Sequence, residues 1–181
     1  MTKPEPDVDV RLDGHVAIVE IRRSPYNFFD VALIASLADI FEKLDLDDDC
    51  RAILLAAQGT AFCAGADFSR PRDNTRRSPQ AVNPLYAEAL RLFACRKPVV
   101  AAVHGHAIGG GLGLALVADF RVTCSEARFA ANFNRLGFHP GFGLSYSLPR
   151  LVGHQAAPRL LYTGRRIGGE EATRIGLADE L

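Results

Sequence analysis

The sequence predicts an α/β fold, because segments typical of buried strands alternate along the chain with segments typical of helices. The 181 residues are 48% hydrophobic and 23% charged, and a chain of this kind can form one sizeable core without disulfides or a structural metal. Its 21 basic and 21 acidic side chains cancel. Neither intrinsic disorder nor a nucleic-acid partner is therefore expected.

The N-terminal part of the chain predicts a strand hairpin and then a helix. Apolar segments at 8–12 and 15–21 flank Asp13-Gly14, a pair typical of a two-residue type I′ turn. Asp30 can act as the N-cap of the helix. The apolar residues that follow have the i, i+3, i+4 spacing of one helix face: Ile34, Leu37, Ala38, Phe41 and Leu44.

The rest of the chain continues the alternation. A buried strand at 52–57 is followed by a Gly-rich stretch and a polar loop at 69–81. Asn83 and Pro84 supply an N-cap and a first-turn proline for a helix that reaches about Cys95. The later expected elements are a strand at 99–103, a helix at 111–118, a strand at 120–124, and helices near 143, at 155–162 and from 170.

Three features bear on the compartment. Residues 98–118 contain no Asp, Glu, Lys or Arg and could span a bilayer by length, but their glycines and two histidines favour a buried strand, a glycine turn and a buried helix. The four cysteines form no C-x-x-C pair and are typical of reduced thiols. Residues 1–10 resemble neither a secretory signal nor a transit peptide. A cytoplasmic protein without a membrane partner is therefore expected.

Gly109, Gly110 and Gly111 form the strongest local motif, between a predicted strand and a predicted helix. Without Cβ atoms the backbone can approach another group closely, and the first N–H groups of the helix point outward. Such a site suits an anion or a developing oxyanion. Tight packing of the helix against the strand is an alternative that stays open. The G-x-G-x-x-G nucleotide pattern fails, because Leu114 and Leu116 stand where glycine is required.

Three other patterns give weaker indications. His104 and His106 could face one side of a strand as metal ligands, but neighbouring residues offer no third ligand, so no metal is predicted. Residues 143–147 nearly form the G-x-S-x-G nucleophile elbow, but Ser147 replaces the final glycine. A cluster of arginines could be either a solvated loop or a phosphate clamp: Arg70, Arg72, Arg76 and Arg77.

Two segments resemble the enoyl-CoA hydratase/isomerase (crotonase) superfamily: residues 62–68 (FCAGADF) and 97–111 (KPVVAAVHGHAIGGG). The similarity continues through 118–121, 136–153 and 176–179, and so covers nearly the whole chain. It implies a crotonase-like spiral of repeated β-β-α units, assembly as a homotrimer or hexamer, and an acyl-CoA thioester as substrate. Coenzyme A would enter as part of that substrate, and no permanently bound cofactor is implied.

The resemblance also implies which residues form the site. The backbone N–H groups of Ala66 and Gly110 would form an oxyanion hole around the thioester carbonyl. Removing one such donor typically costs about 10²–10³ in rate. The residues implied in substrate or coenzyme A binding are Ala64, Ala66, Asp67, Phe68, Ser69, Arg70, Gly110 and Phe133.

The chain departs from the family at its acid/base positions. Hydratases of the family use two glutamates to activate water, and the matching positions here are Gly113 and Phe133. Losing a positioned acid or base commonly costs about 10²–10⁴ in rate, so ordinary hydration is expected to be poor or absent. The best substitute is His139, at a place where the related naphthoyl-CoA synthases carry a catalytic aspartate, because imidazole titrates near neutrality.

These observations predict an acyl-CoA-binding enzyme that stabilises a thioester enolate, with Ala66 and Gly110 as oxyanion donors and His139 as acid or base. The alternative is a non-catalytic acyl-CoA-binding or assembly protein of the same fold. Residues 1–181 are expected to form one crotonase-like core domain without the C-terminal helical region usual in the family. The sequence does not select among hydration, isomerisation, decarboxylation, thioester hydrolysis and dehalogenation.

Overall fold

The computed structural model describes residues 6–67 and 83–181. Its strands are β1 (Val8–Asp13), β2 (Val16–Ile21), β3 (Ala52–Ala57), β4 (Ala61–Cys63), β5 (Val99–Val103), β6 (His106–Ile108), β7 (Phe120–Thr123), β8 (Arg128–Ala130) and β9 (Ile167–Gly168). Its helices are α1 (Val31–Asp45), α2 (Pro84–Phe93), α3 (Gly110–Ala115), α4 (Leu144–Thr163) and α5 (Gly169–Arg174), with a 3₁₀ helix at Asn132–Leu136. This alternation confirms the predicted α/β class.

The strands form two sheets. The larger has the order β1-β2-β3-β5-β7, in which β1 and β2 are antiparallel and the other neighbours are parallel. The smaller has the order β4-β6-β8-β9, with β9 antiparallel to β8. From β3 to β8 the chain repeatedly places one strand in the larger sheet and the next in the smaller sheet, and then forms a helix. This is the repeated β-β-α arrangement that was expected.

The predicted N-terminal hairpin is present, but its loop lies one residue further along the chain. Asp13 pairs with Val16, so the loop residues are Gly14 and His15. Gly14 has a φ of 57°, whereas His15 is not among the described residues with positive φ. A type I′ turn requires positive φ at both loop residues, so the predicted turn type is wrong.

The two helices with predicted N-caps begin where expected. The Asp30 side chain accepts a hydrogen bond from the Leu33 N–H at 2.9 Å, and the Asn83 side chain accepts one from the Leu85 N–H at 3.1 Å. The predicted apolar face of α1 is buried. α2 packs against α1, and Arg91 on α2 makes ion pairs with carboxylates of α1. These contacts fix the position of α2 beside the sheets.

The sequence predicts none of the four strands of the smaller sheet. Each of them has only two or three residues, which is too short for a hydrophobic period to be recognised. The helices expected near 143 and at 155–162 are one element, α4, which is interrupted at Gly153 (φ 77°, ψ 168°).

Residues 98–118, the segment without charged side chains, contain β5, β6 and α3 instead of one continuous helix. The expected strand, glycine turn and helix are thus confirmed, with one additional short strand inside the turn. Within the described ranges, no helix combines the length and the apolar character that a membrane span requires.

Candidate active site

Ala66 lies in the turn that leaves β4 and is held by a bridge to the loop before α1. Phe29 and Ala66 form an isolated parallel bridge, in which the Phe29 N–H donates to the Gly65 carbonyl oxygen at 2.9 Å. In a bridge of this kind Phe29 bonds with the residues on either side of Ala66, so the N–H of Ala66 points away from Phe29. That N–H can therefore face a ligand.

Asn27 fixes the loop that precedes α1. Its side chain is fully buried, and its Nδ2 donates to the carbonyl oxygens of Gln58 at 2.6 Å and Ala61 at 2.7 Å. Its Oδ1 accepts from the Arg23 N–H at 2.9 Å. The backbone of Asn27 has a left-handed φ of 50°, a conformation that asparagine tolerates better than most residues. The loop is thereby tied to β4, next to the turn that carries Ala66.

The three consecutive glycines differ in what excludes a side chain. Gly109 has a left-handed φ of 57°. A Cβ atom placed on Gly110 would lie 2.4 Å from Cζ of Phe29, and one placed on Gly111 would lie 1.9 Å from the carbonyl oxygen of Cys63. Close packing against β4 therefore requires glycine at position 111, which supports the packing explanation there. Gly110 is the first residue of α3, so its N–H has no partner within the helix.

The two predicted oxyanion donors come from neighbouring backbone segments. A Cβ atom placed on Gly65 would lie 3.7 Å from the Gly110 nitrogen. Ala66 and Gly110 both line one cavity of about 470 Å³, and His139 lines the same cavity. The structure thus brings together the three residues that the sequence predicts to be catalytic.

The walls of this cavity are mostly apolar. Its aromatic lining residues are Phe29, Tyr86, Phe133, Phe138 and Phe142. None of the described lining residues is an aspartate, glutamate, lysine or arginine. A larger groove of about 980 Å³ adjoins the cavity at residues 139–143, but neither Ala66 nor Gly110 lines it. The smaller cavity is therefore the candidate active site.

Two other reactive side chains, those of Cys63 and His104, do not line the cavity. Burial raises the pKa of the Cys63 thiol to about 12, so the thiol stays protonated and is a poor nucleophile. The Nε2 atom of His104 lies 3.0 Å from the Gly59 carbonyl oxygen. Among the described residues, no cluster of three or more His, Cys, Asp or Glu side chains could hold a metal ion.

Comparison with known proteins identifies the family. The family model for enoyl-CoA hydratase/isomerase matches residues 11–181. The chain belongs to the enoyl-CoA hydratase/isomerase family. It is 36% identical over 170 residues to a probable enoyl-CoA hydratase of Mycobacterium tuberculosis, covering 92% of this chain and 66% of the relative. It is 34% identical over 178 residues to the short-chain-enoyl-CoA hydratase of Clostridium acetobutylicum, covering 97% of this chain and 68% of the relative.

Solved structures that are similar in sequence to this chain have the same fold. The enoyl-CoA hydratase of Bacillus anthracis superimposes with a TM-score of 0.87 at 32% identity, covering 97% of this chain and 69% of that structure. DspI of Pseudomonas aeruginosa gives a TM-score of 0.88 at 32% identity, covering 99% of this chain and 69% of that structure. The crotonase-like fold is therefore confirmed. The chain spans about two thirds of the length of the curated relatives it matches.

The two positions predicted to match the hydratase glutamates of the enoyl-CoA hydratase/isomerase family have different surroundings. Gly113 does not line the cavity, and a Cβ atom placed on it would lie 2.5 Å from the Cβ of Phe142. Phe142 itself is buried and lines the cavity. Phe133 also lines the cavity, so an aromatic ring stands at the second position. Aromatic side chains therefore form the wall at both places.

His139 follows the 3₁₀ helix, in a turn that begins with Gly137 in the left-handed conformation (φ 72°). The residue is exposed, yet it lines the cavity together with Ala66 and Gly110. The acid/base role of His139 stays a prediction.

The residues predicted to contact coenzyme A are only partly described by the structure. Ala64, Ala66 and Phe133 line the cavity, as does Gly110. Asp67 lines a separate, smaller cavity of about 360 Å³, which Phe29 also lines. The remaining predicted contacts stay predictions, because they lie outside the described residues: Phe68, Ser69 and Arg70, together with the arginines at 72, 76 and 77.

Sequence reasoning missed most of the aromatic residues of the site, among them Tyr86 and Phe142. Tyr86, on the first turn of α2, reaches the cavity from a part of the chain with no recognised motif. Phe142 has a φ of 53°, which is rare for a bulky side chain. The flanking glycines at 141 and 143 were a signal of a tight turn, but they did not indicate that the intervening ring would fill the space beside Gly113.

Proposed function

We propose that this chain is an enzyme that binds an acyl-CoA thioester and stabilises an enolate formed from it. The observation that carries the proposal is that Ala66, Gly110 and His139 line one cavity. The thioester carbonyl oxygen would accept hydrogen bonds from the N–H groups of Ala66 and Gly110. Two preorganised donors stabilise the negative charge that this oxygen gains when the neighbouring carbon loses a proton.

The imidazole of His139 would remove that proton. Among the described residues of the cavity no carboxylate is available for this task, and a neutral imidazole is a suitable base near neutral pH. The mostly apolar walls would exclude water from the acyl group and strengthen the hydrogen bonds to the carbonyl oxygen. A homotrimeric or hexameric assembly and a cytoplasmic location are part of the same proposal and are supported by the family resemblance alone.

Hydrogen exchange at the α-carbon tests the proposal without knowledge of the final reaction. In heavy water, an enzyme that forms the enolate incorporates deuterium at the α-carbon of a saturated acyl-CoA, which NMR detects. We expect exchange with the wild type and a loss of about 10²–10⁴ in its rate with His139→Ala. His154→Ala is the matched control, because His154 is also exposed but does not line the cavity. Exchange that survives His139→Ala unchanged would contradict the role of His139.

The second candidate function is that of a non-catalytic acyl-CoA-binding or assembly protein. It is favoured by the aromatic walls at the two glutamate positions and by the lack of carboxylates among the described cavity residues. Ligand binding to the folded state raises thermal stability whether or not chemistry follows. Stabilisation by acyl-CoA without exchange or turnover of enoyl-, malonyl- and aryl-CoA thioesters would support this function over the enzyme.

A further inference from the structure

The larger groove beside the candidate active site has an apolar surface that the proposed function does not use. Its volume of about 980 Å³ is in the range of small-molecule sites. Apolar side chains from α2, from the segment after α3 and from α4 form its walls: Leu90, Phe93, Leu116, Val117 and Leu151. Leu90 is 67% exposed and Phe93 is 40% exposed. An exposed apolar surface of this kind is typical of a binding site.

Arg150 places a positive charge on the wall of this groove. Its guanidinium carbon lies 3.5 Å from the centroid of the Tyr146 ring, one turn earlier on α4, and both residues line the groove. A guanidinium held over an aromatic face keeps the N–H donors in its plane available for other acceptors. Within residues 6–67 and 83–181, the guanidinium of Arg150 forms no ion pair and donates no hydrogen bond. Its donors are therefore oriented and free to bind an anion.

The other charged groups of the groove already have partners within the fold. Asp119 is the one carboxylate among the described lining residues, and its Oδ2 accepts a hydrogen bond from the Val99 N–H at 2.8 Å. Arg121 is 1% exposed, and it donates to neighbouring carbonyl oxygens. His139 also lines the groove and adds no negative charge. Arg150 is therefore the permanent charge that a ligand in the groove can reach.

We propose that the larger groove binds an amphiphile with one carboxylate head and an apolar tail, such as a free fatty acid. The two oxygens of the carboxylate match the planar fork of the Arg150 guanidinium. The tail would cover the exposed faces of Leu90 and Phe93, and removing this apolar surface from water favours binding. The site is separate from the proposed acyl-CoA site, since neither Ala66 nor Gly110 lines the groove, and its occupation requires no catalysis.

Isothermal titration with decanoate, below its micelle concentration, tests the head and the tail separately. Decanol has the same number of carbon atoms without the carboxylate, and hexanoate has the same head with a shorter tail. We expect decanoate to bind at least about tenfold more tightly than either compound, because the charge-assisted hydrogen bonds and the buried methylene groups both contribute. Equal binding of decanol and decanoate would overturn the proposal, since the apolar surface alone would then account for binding.

The role of the arginine is tested by Arg150→Met, which keeps an apolar side chain and removes the guanidinium. This variant should bind decanoate about tenfold more weakly and bind decanol as the wild type does. Arg159→Met is the matched control, because Arg159 is exposed and lies on α4 but does not line the groove. Unchanged decanoate affinity in Arg150→Met would overturn the proposal.

The position of the tail is tested by Leu90→Ser, which should weaken the binding of decanoate and decanol alike by about threefold. Leu46→Ser is the control, because Leu46 is 79% exposed and does not line the groove. Full affinity for decanoate in Leu90→Ser would place the tail elsewhere and overturn the proposal. Thermal unfolding of each variant confirms that it is folded.

Sedimentation of the same samples tests whether a second copy of the chain occupies the groove. Dimers that dissociate in Leu90→Ser and bind no decanoate would make the groove a protein interface and overturn the proposal. Failure of decanoate to bind would overturn it as well, but would leave the proposed function intact, because α-exchange is measured with acyl-CoA in the other cavity. Loss of α-exchange would likewise leave decanoate binding unaffected.

Discussion

Phe142 shapes the candidate site through its backbone as much as through its ring. Its φ of 53° places it in the left-handed region, and its side chain is only 2% exposed. The ring packs against those of Phe29 and Phe93, at centroid distances of 5.6 and 6.4 Å. Because its Cβ would lie 2.5 Å from a Cβ on Gly113, the side chains at positions 113 and 142 are mutually exclusive in this backbone arrangement.

Gly113→Glu is therefore expected to fail as a route to hydratase activity. The new side chain would collide with Phe142, and even Gly113→Ala should lower the free energy of unfolding by about 1–3 kcal/mol through overpacking. Urea denaturation of purified variants measures this loss, and addition of water to a 2-enoyl-CoA measures hydration. Efficient hydration by Gly113→Glu would show that the glutamate can reach the cavity after all.

The matched test combines Gly113→Ala with Phe142→Gly. Glycine at 142 removes the colliding Cβ and suits the left-handed backbone, although the lost ring burial makes this variant less stable than the wild type. In its background Gly113→Ala should cost little. An equal cost of Gly113→Ala in both backgrounds would place the steric conflict elsewhere.

Cys63 provides a prediction about pH. Burial raises the pKa of its thiol to about 12, whereas a thiol in the unfolded chain titrates near 8.5. The unfolded state thus loses its proton first as pH rises. The contribution of Cys63 to folding stability is complete below the unfolded pKa and is lost as the pH rises through the folded value.

At mildly alkaline pH the Cys63 thiol should therefore resist alkylation by iodoacetamide in the native protein. It should react readily in guanidinium chloride, which exposes it. Mass spectrometry of the peptide that contains Cys63 distinguishes the two states. Rapid labelling of Cys63 under native conditions would indicate that the end of β4, which leads into the turn with Ala66, opens frequently.

At the scale of elements, α2 carries Tyr86, and its first turn depends on the cap at Asn83. Asn83→Ala removes the acceptor for the Leu85 N–H and should lower the free energy of unfolding by about 0.5–2 kcal/mol. Asn83→Asp keeps an acceptor oxygen and should retain the stability of the wild type. Unfolding in urea measures the difference, and equal stability of the Ala and Asp variants would show that the cap is unimportant.

The elements also show how far the sequence could be used for prediction. The caps at Asp30 and Asn83 were predicted because a cap depends on residues a few positions apart, as does the apolar face of α1. The strands of the smaller sheet were missed because their two or three residues pair with distant segments and have no pattern of their own. Gly110 was predicted from the run of three glycines, and Ala66 and His139 were predicted from the family resemblance. Tyr86 was not predicted, since it reaches the cavity only when α2 is packed.

At the scale of the whole molecule, Arg121 joins the larger sheet to the end of the described chain. The residue lies in β7 and is 1% exposed. Its Nε donates to the Leu177 carbonyl oxygen at 2.8 Å, its Nη1 to the Ala118 carbonyl oxygen at 2.6 Å, and its Nη2 to Oδ2 of Asp179 at 3.0 Å. Burial lowers the pKa of the guanidinium, and the nearby carboxylate of Asp179 acts in the opposite direction. The planar fork of donors thus satisfies several acceptors from separate elements at once.

Arg121→Met should lower the free energy of unfolding by about 3–5 kcal/mol, the usual cost of breaking a buried charged network. Methionine can fill much of the volume but leaves the carbonyl oxygens of Leu177 and Ala118 without their donor, and unsatisfied buried acceptors are costly. Asp179→Asn is the matched control: it removes the charge, keeps an acceptor for the Arg121 side chain and backbone N–H, and should cost less. Urea unfolding compares the variants, and hydrogen exchange should show loosening near 177–181 in Arg121→Met. An equal loss in both variants would mean that the ion pair, and not the bonds to the carbonyl oxygens, holds the C-terminal residues against the sheet.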